Sequence, residues 1–138
     1  MADRVLNILL VEDDEVDVMN VRRAFERNNV SNPLYVAGNG LEALEMLRDG
    51  TVPTERRLIL LDLNMPKMNG IEFLQALRAD PELSSAPVVV LTTSNDDQDK
   101  IDAYNLNVAG YLLKPVTFSN FCERMTTLNK YWMLVEMP

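Results

Sequence analysis

Residues 59–70 read ILLDLNMPKMNG. Ile59, Leu60 and Leu61 run straight into a carboxylate, Asp62, and the chain passes Pro66 and Gly70 before helix-like periodicity resumes at Ile71. An apolar run with no polar alternation reads as a strand covered on both faces, which is the environment of a parallel sheet flanked by helices. The carboxylate at its end has two readings. It caps the next helix, or it does chemistry at the mouth of a sheet. Pro66 and the Asn69–Gly70 pair put a loop between Asp62 and the next helix, which disfavours the cap.

Working outward, the same alternation recurs on both sides. Residues 7–12 (NILLVE) form another doubly covered strand, followed by helical spacing of Val16, Met19, Val21, Ala24 and Phe25 ahead of Asn28 and Asn29. Residues 34–37 are a short strand, and 41–47 (LEALEML) a helix started after Gly40 and stopped at Gly50. Downstream, 71–77 is helical and ends near Asp80 and Pro81; 88–91 (VVVL) is a fourth strand; 96–105 is a polar helix; 109–113 (AGYLL) is a fifth strand. Thr117 is placed as the N-cap of a last helix beginning at Phe118. Five βα units imply an α/β fold, a doubly wound five-stranded parallel sheet with five helices on its two faces. Residues 51–57 are expected to be an exposed loop.

The composition narrows the chemistry. A chain of 138 residues that is 47% hydrophobic fits one domain with a core of its own, here residues 1–138. The apolar stretch 6–11 is short and broken by Asn7, unlike a signal peptide or membrane span. A single cysteine, Cys122, excludes an internal disulfide and suits a reducing, cytoplasmic setting. With no histidine, His-containing zinc sites, Ser-His-Asp triads and imidazole bases are excluded. A net charge of −8 argues against nucleic acid. Carboxylates, lysine, hydroxyls and backbone remain.

Ligands of open parallel sheets bind at the carboxyl ends of the strands. Glu12, Asp13 and Asp14 follow the first strand, Asp62 the third, Thr92 and Thr93 the fourth, and Lys114–Pro115 the fifth. Crowded carboxylates repel one another, and a bound cation removes the conflict. Oxygen ligands without sulfur or imidazole favour magnesium. Asp62 beside a metal and a lysine is arranged as a nucleophile toward phosphorus, giving an aspartyl-phosphate.

The motifs VED at 11–13, LLDLNMPKMNG at 60–70, VVVLTTS at 88–94 and AGYLLKP at 109–115 resemble the receiver domain of bacterial two-component response regulators. The resemblance covers nearly the whole chain and implies the flavodoxin-like receiver fold. It implies Asp62 as phosphoacceptor, and a Mg2+ (or Mn2+) ion organised by Glu12 and Asp13 with Asp62 and the backbone carbonyl of Asn64. Lys114 then pairs with the phosphoryl group, Thr92 reorients toward it, and Tyr111 changes its packing in step. The Lys114–Pro115 bond is expected to be cis. The partner is a sensor histidine kinase that donates from a phosphohistidine. Such a protein is a cytoplasmic signalling phosphoprotein, catalysing only its own phosphotransfer and dephosphorylation. With no DNA-binding output segment in view, output is expected through protein–protein contacts or onward phosphotransfer.

Other readings compete. Asp13 or Asp14 caps the first helix, with Asp14 the better cap and Asp13 the better ligand. Thr92 is alternatively a plain strand end, Lys114 a solvated lysine and Tyr111 ordinary core. Gly38, Gly40 and Ala43 match the glycine pattern of a dinucleotide site, but Glu42 would face the pyrophosphate unfavourably. An aspartate-nucleophile phosphatase needs a second acid where Asn64 stands. A receiver-like binding module that is never phosphorylated has no need of the set Asp13, Asp62, Thr92 and Lys114. Thr93 is bulkier than the small residue often found there in the family, which narrows partner access.

The last segment places Phe118, Phe121, Met125, Leu128, Trp132 and Val135 at steps of three and four, an amphipathic helix that outruns a small sheet. Residues 129–138 are therefore expected to extend the last helix. Tyr131, Trp132, Leu134 and Val135 are expected to form a homodimer interface, since such a patch is costly when exposed. The ending resembles single-domain regulators paired with bacterial phytochrome kinases.

Overall fold

The computed structural model describes residues 6–65, 68–93, 96–114 and 120. The elements are β1 (Asn7–Val11), α1 (Glu15–Arg27), β2 (Leu34–Ala37), α2 (Gly40–Arg48), β3 (Arg57–Leu61), α3 (Gly70–Ala79), β4 (Val88–Thr92), α4 (Asp97–Asn105) and β5 (Gly110–Leu113). The five strands form one parallel sheet in the order β2-β1-β3-β4-β5. The order turns back between β1 and β3, which puts the topological switch point there. The fifth helix expected from Phe118, with its Thr117 cap, lies almost wholly outside the described residues.

Successive strand residues point to opposite faces, so each strand feeds two cores. Leu9, Val11, Ile59, Leu61, Val88 and Val90 face one layer, where Leu44 and Leu47 of α2 and Phe73, Leu74 and Leu77 of α3 pack on them. Ile8, Leu10, Leu58, Leu60, Val89 and Leu91 face the other, covered by Val21 and Phe25 of α1. This division explains why β1, β3 and β4 lack polar alternation: both of their faces are dry.

Each described helix starts on an Asp or Asn whose side chain accepts first-turn amides. Asp14 accepts from Val16 and Asp17, Asn39 from Glu42, and Asp96 from Gln98 and Asp99. Asn69 and Glu72 form a reciprocal capping box on α3. Asn29, Gly50 and Asn107 take positive φ just past the ends of α1, α2 and α4, where a left-handed residue stops a helix. Among the described residues the five expected strands and the first four expected helices all occur, their ends shifted by at most two residues.

The loop expected over 51–57 occurs over 51–56, with Thr51, Pro53, Thr54 and Glu55 exposed, and needs correction at two residues. Val52 is fully buried and Arg57 is 8% exposed and begins β3. The Arg57 guanidinium donates to the carbonyls of Pro53, Leu47 and Val52 at 2.8–2.9 Å, so the charged residue serves as the internal clasp of its own loop. Replacing it with methionine leaves buried carbonyls without donors. Arg57→Met is expected to cost about 1–3 kcal/mol, read as a lower urea midpoint with an unchanged slope.

Candidate functional site

The register of the central strands decides what meets at the carboxyl edge. Val11 of β1 lies opposite Leu61 of β3, so the residues that follow them, Glu12 and Asp62, leave the sheet side by side. Backbone bonds carry each ladder one step further: Glu12 N–H donates to Ala37 O at 2.9 Å and Asp62 N–H to Val11 O at 3.1 Å. At the far side Lys114 N–H donates to Thr92 O at 3.0 Å, which fixes where the lysine departs from β5.

Three carboxylates converge. One oxygen each from Glu12, Asp13 and Asp62 lies within 4.8 Å of the others. Glu12 and Asp62 are buried, at 2% and 7% exposure, and Asp13 is exposed. Asp14, next in line, is the α1 cap and so is diverted from the cluster. The cap of α3 is Asn69, which leaves Asp62 with no capping duty. Its Oδ1 accepts a long bond, 3.4 Å, from Asn64 N–H.

Electrostatics follow from this crowding. Burial pushes the Glu12 carboxyl up to about 7; the Lys114 hydrogen bond pulls the other way, and the Asp62 charge adds to the push. The Lys114 ammonium lies 2.5 Å from Glu12 Oε1 and 3.0 Å from Asp17 Oδ2. Burial draws Lys114 down, but the bond to Glu12, the charges of Asp62 and Glu12 and the bond to Asp17 together hold it above the usual lysine value. A carboxylate cluster of this kind fits a hard divalent cation: oxygen donors only, two of them sheltered, one open to solvent where waters complete the shell. Clefts of about 460 Å³ flank the cluster, one beside Glu12 and Asp13 between α1 and α2, the other beside Asn64 and Asn69 toward α4.

The remaining expected residues separate into those brought together and those not. Thr92 is the fully buried last residue of β4, at the same edge. Asn64 is exposed in the β3–α3 loop. Tyr111 sits half-buried on β5 against the larger core layer, with the Lys100 ammonium 6.0 Å from its ring centre. Pro115, and with it the expected cis bond, lies outside the described residues, as do Tyr131, Trp132, Leu134 and Val135. The glycine pattern at 38–43 is local helix geometry. Asn39 caps α2 through the Glu42 amide, and Glu42 Oε2 would lie 3.9 Å from a Cβ on Gly38, over the loop that a pyrophosphate would need.

Two features were missed from sequence. Gly70 is required by close approach: a Cβ there would lie 2.6 Å from Leu63 Cα and 2.8 Å from Asp62 O. Asp17 contacts the lysine; its place in the first turn of the first helix, just after the acidic run 12–14, was the available signal.

A model of the response regulator receiver domain matches residues 8–126. The chain is 38% identical over 128 residues to the probable methanogenesis regulatory protein FilR2 of Methanothrix harundinacea, covering 91% of this chain and 83% of that one. It is 36% identical over 129 residues to response regulator Rcp1 of Synechocystis, covering 91% and 88%. Rcp1 is also known as a Mn2+-bound structure, which matches with a TM-score of 0.74 at 35% identity over 96% of this chain and 99% of that one. The phosphorylated cyanobacterial phytochrome response regulator RcpA matches with a TM-score of 0.78 at 32% identity, over 97% and 99%.

Gly70→Ala forces the segment carrying Asp62 and Leu63 to move. It is expected to cost about 1–3 kcal/mol and to shift the amide resonances of Asp62, Leu63 and Asn64 in NMR spectra, with those of β2 unaffected.

Proposed function

The chain belongs to the response regulator receiver domain family, and we propose that it accepts a phosphoryl group on Asp62 from a phosphohistidine of a sensor histidine kinase. The observation that carries this reading is the placement of Asp62 beside Glu12, with Asp13 completing a carboxylate set within 4.8 Å. An Asp62 oxygen attacks phosphorus as the phosphorus–nitrogen bond of the donor breaks, and the leaving imidazole takes up a proton. Glu12, Asp13, Asp62 and the Asn64 carbonyl would hold Mg2+ or Mn2+, whose positive charge would offset the negative charge of the phosphoryl oxygens. The Lys114 ammonium binds a phosphoryl oxygen, and the Thr92 hydroxyl turns to another. Catalysis here is positioning and charge neutralisation, which needs no histidine on this chain.

Signalling then follows from a change in protein contacts at α4, β5 and the last helix as Thr92 and Tyr111 repack. The chain acts as a signalling phosphoprotein whose chemistry is confined to its own phosphotransfer and dephosphorylation. Residues 1–138 work as one receiver domain, with 129–138 extending the last helix and Tyr131, Trp132, Leu134 and Val135 pairing two copies. The likeness to the phytochrome response regulator RcpA supports a bacterial phytochrome as the kinase. No described helix is long and apolar enough to cross a membrane, and the reading places the protein in the cytoplasm.

Incubation with a small acyl phosphate and magnesium is expected to add one phosphoryl group by intact mass. Asp62→Asn abolishes the adduct, and omission of magnesium suppresses it. Lys114→Ala keeps some adduct but uncouples it from partner affinity. Absence of an adduct on the native chain favours a receiver-like module that is never phosphorylated. In sedimentation, the full chain is expected as a dimer and a chain ending at Lys130 as a monomer; two monomers would refute the tail interface.

A further inference from the structure

Lys114 leaves β5, and in the sheet order β4 and β3 lie between it and Glu12 at the end of β1. Its side chain therefore extends across the site. There it pairs with two carboxylates, Glu12 at 2.5 Å and Asp17 at 3.0 Å, the latter in the first turn of α1. These are the ion pairs of Lys114 among the described residues. Asp62 acts on the ammonium only through its charge.

An ammonium has three donors, and two are engaged on the α1 side. The two partners differ in how readily they release it. Glu12 is sealed, its side chain 1% exposed, and in the metal-free chain losing the lysine leaves a buried charge uncompensated. The Asp17 side chain is 32% exposed and rehydrates when the pair opens, so its bond to the lysine is the weaker one. A negative group arriving on Asp62 must then compete with Asp17 for the lysine.

On the reading of Asp62 as phosphoacceptor, we infer that Asp17 is a positioning residue that holds Lys114 toward α1, and that a phosphoryl group on Asp62 draws the ammonium off Asp17. Asp17 thereby weakens the grip of the site on the phosphoryl group. The bland role for Asp17 is an acidic residue favoured at a helix N-terminus. That role is shared by exposed Glu15 in the same turn and needs no lysine at 3.0 Å.

The test uses the full chain with magnesium and titrates beryllofluoride, a phosphoryl mimic, by calorimetry. Asp17→Asn is expected to lower Kd about two- to fivefold, the size of a partly exposed ion pair. Glu15→Gln, an equal charge change on the same turn, is expected to leave Kd unchanged. In a Lys114→Met background, Asp17→Asn is expected to have no effect, because the coupling runs through the lysine. Without metal or mimic, the NMR order parameter of the Lys114 Cε is expected to fall in Asp17→Asn. An unchanged or higher Kd in Asp17→Asn overturns the inference. So does equal tightening by Glu15→Gln, or tightening that persists without Lys114; either marks a general charge effect. If the native chain does not bind the mimic, the phosphoacceptor reading fails and this inference with it; if the native chain binds and Asp17→Asn binds no tighter, this inference alone fails.

Discussion

Two carboxylates, Glu12 and Asp62, are buried next to each other at the ends of adjacent strands, and the carboxyl edge of the sheet is organised around that fact. Like charges in a sheltered site are unfavourable unless a cation stands by. The chain provides one from its far end, since Lys114 lies 102 residues from Glu12 and reaches it only when all five strands are in register. The site therefore exists only in the complete sheet.

The loops at this edge show how the cluster is kept intact. Asp14, Asn39, Asn69 and Asp96 take over the helix-capping duties, so that Asp13 and Asp62 keep their oxygens for the site. Gly70 allows α3 to begin directly against the backbone of Asp62 and Leu63, with its amide bonded to Leu63 O at 3.0 Å. Lys114 is pinned at its backbone to Thr92, and Tyr111 lies three residues earlier on the same strand, near Lys100 of α4. Lys114 thus follows directly on the strand whose Tyr111 lies near Lys100 of α4. Family membership and this arrangement agree on a receiver. Its hydrophobic scaffold is two-layered and has no need of the polar edge, which frees that edge for chemistry.

Much of this was visible in the chain. The doubly apolar runs at 7–11, 58–61 and 88–91 could only be strands with both faces covered, and the βα alternation left little topological choice. The boundaries were softer, because a cap such as Asn39 or Asn69 extends a helix by a residue that periodicity alone does not include. Within 51–57, Val52 and Arg57 misled, because the composition of the segment is that of a surface loop. A single arginine whose guanidinium meets three carbonyls is buried beneath an otherwise mostly exposed loop, and nothing in the local pattern announces it.

The sequence by itself determined the class of fold, the identity of the carboxylates and the lysine, and the exclusion of histidine chemistry. Those are matters of residue type and of periodicity along the chain. Tertiary structure decided which carboxylate stands beside which, that Asp14 is a cap while Asp13 is not, that Gly70 has no room for a methyl, and that Lys114 is shared between Glu12 and Asp17. Each of these is set by strand register and by the approach of α1 to the sheet edge. Such long-range distances depend on the packing of both faces together, and no local stretch encodes them.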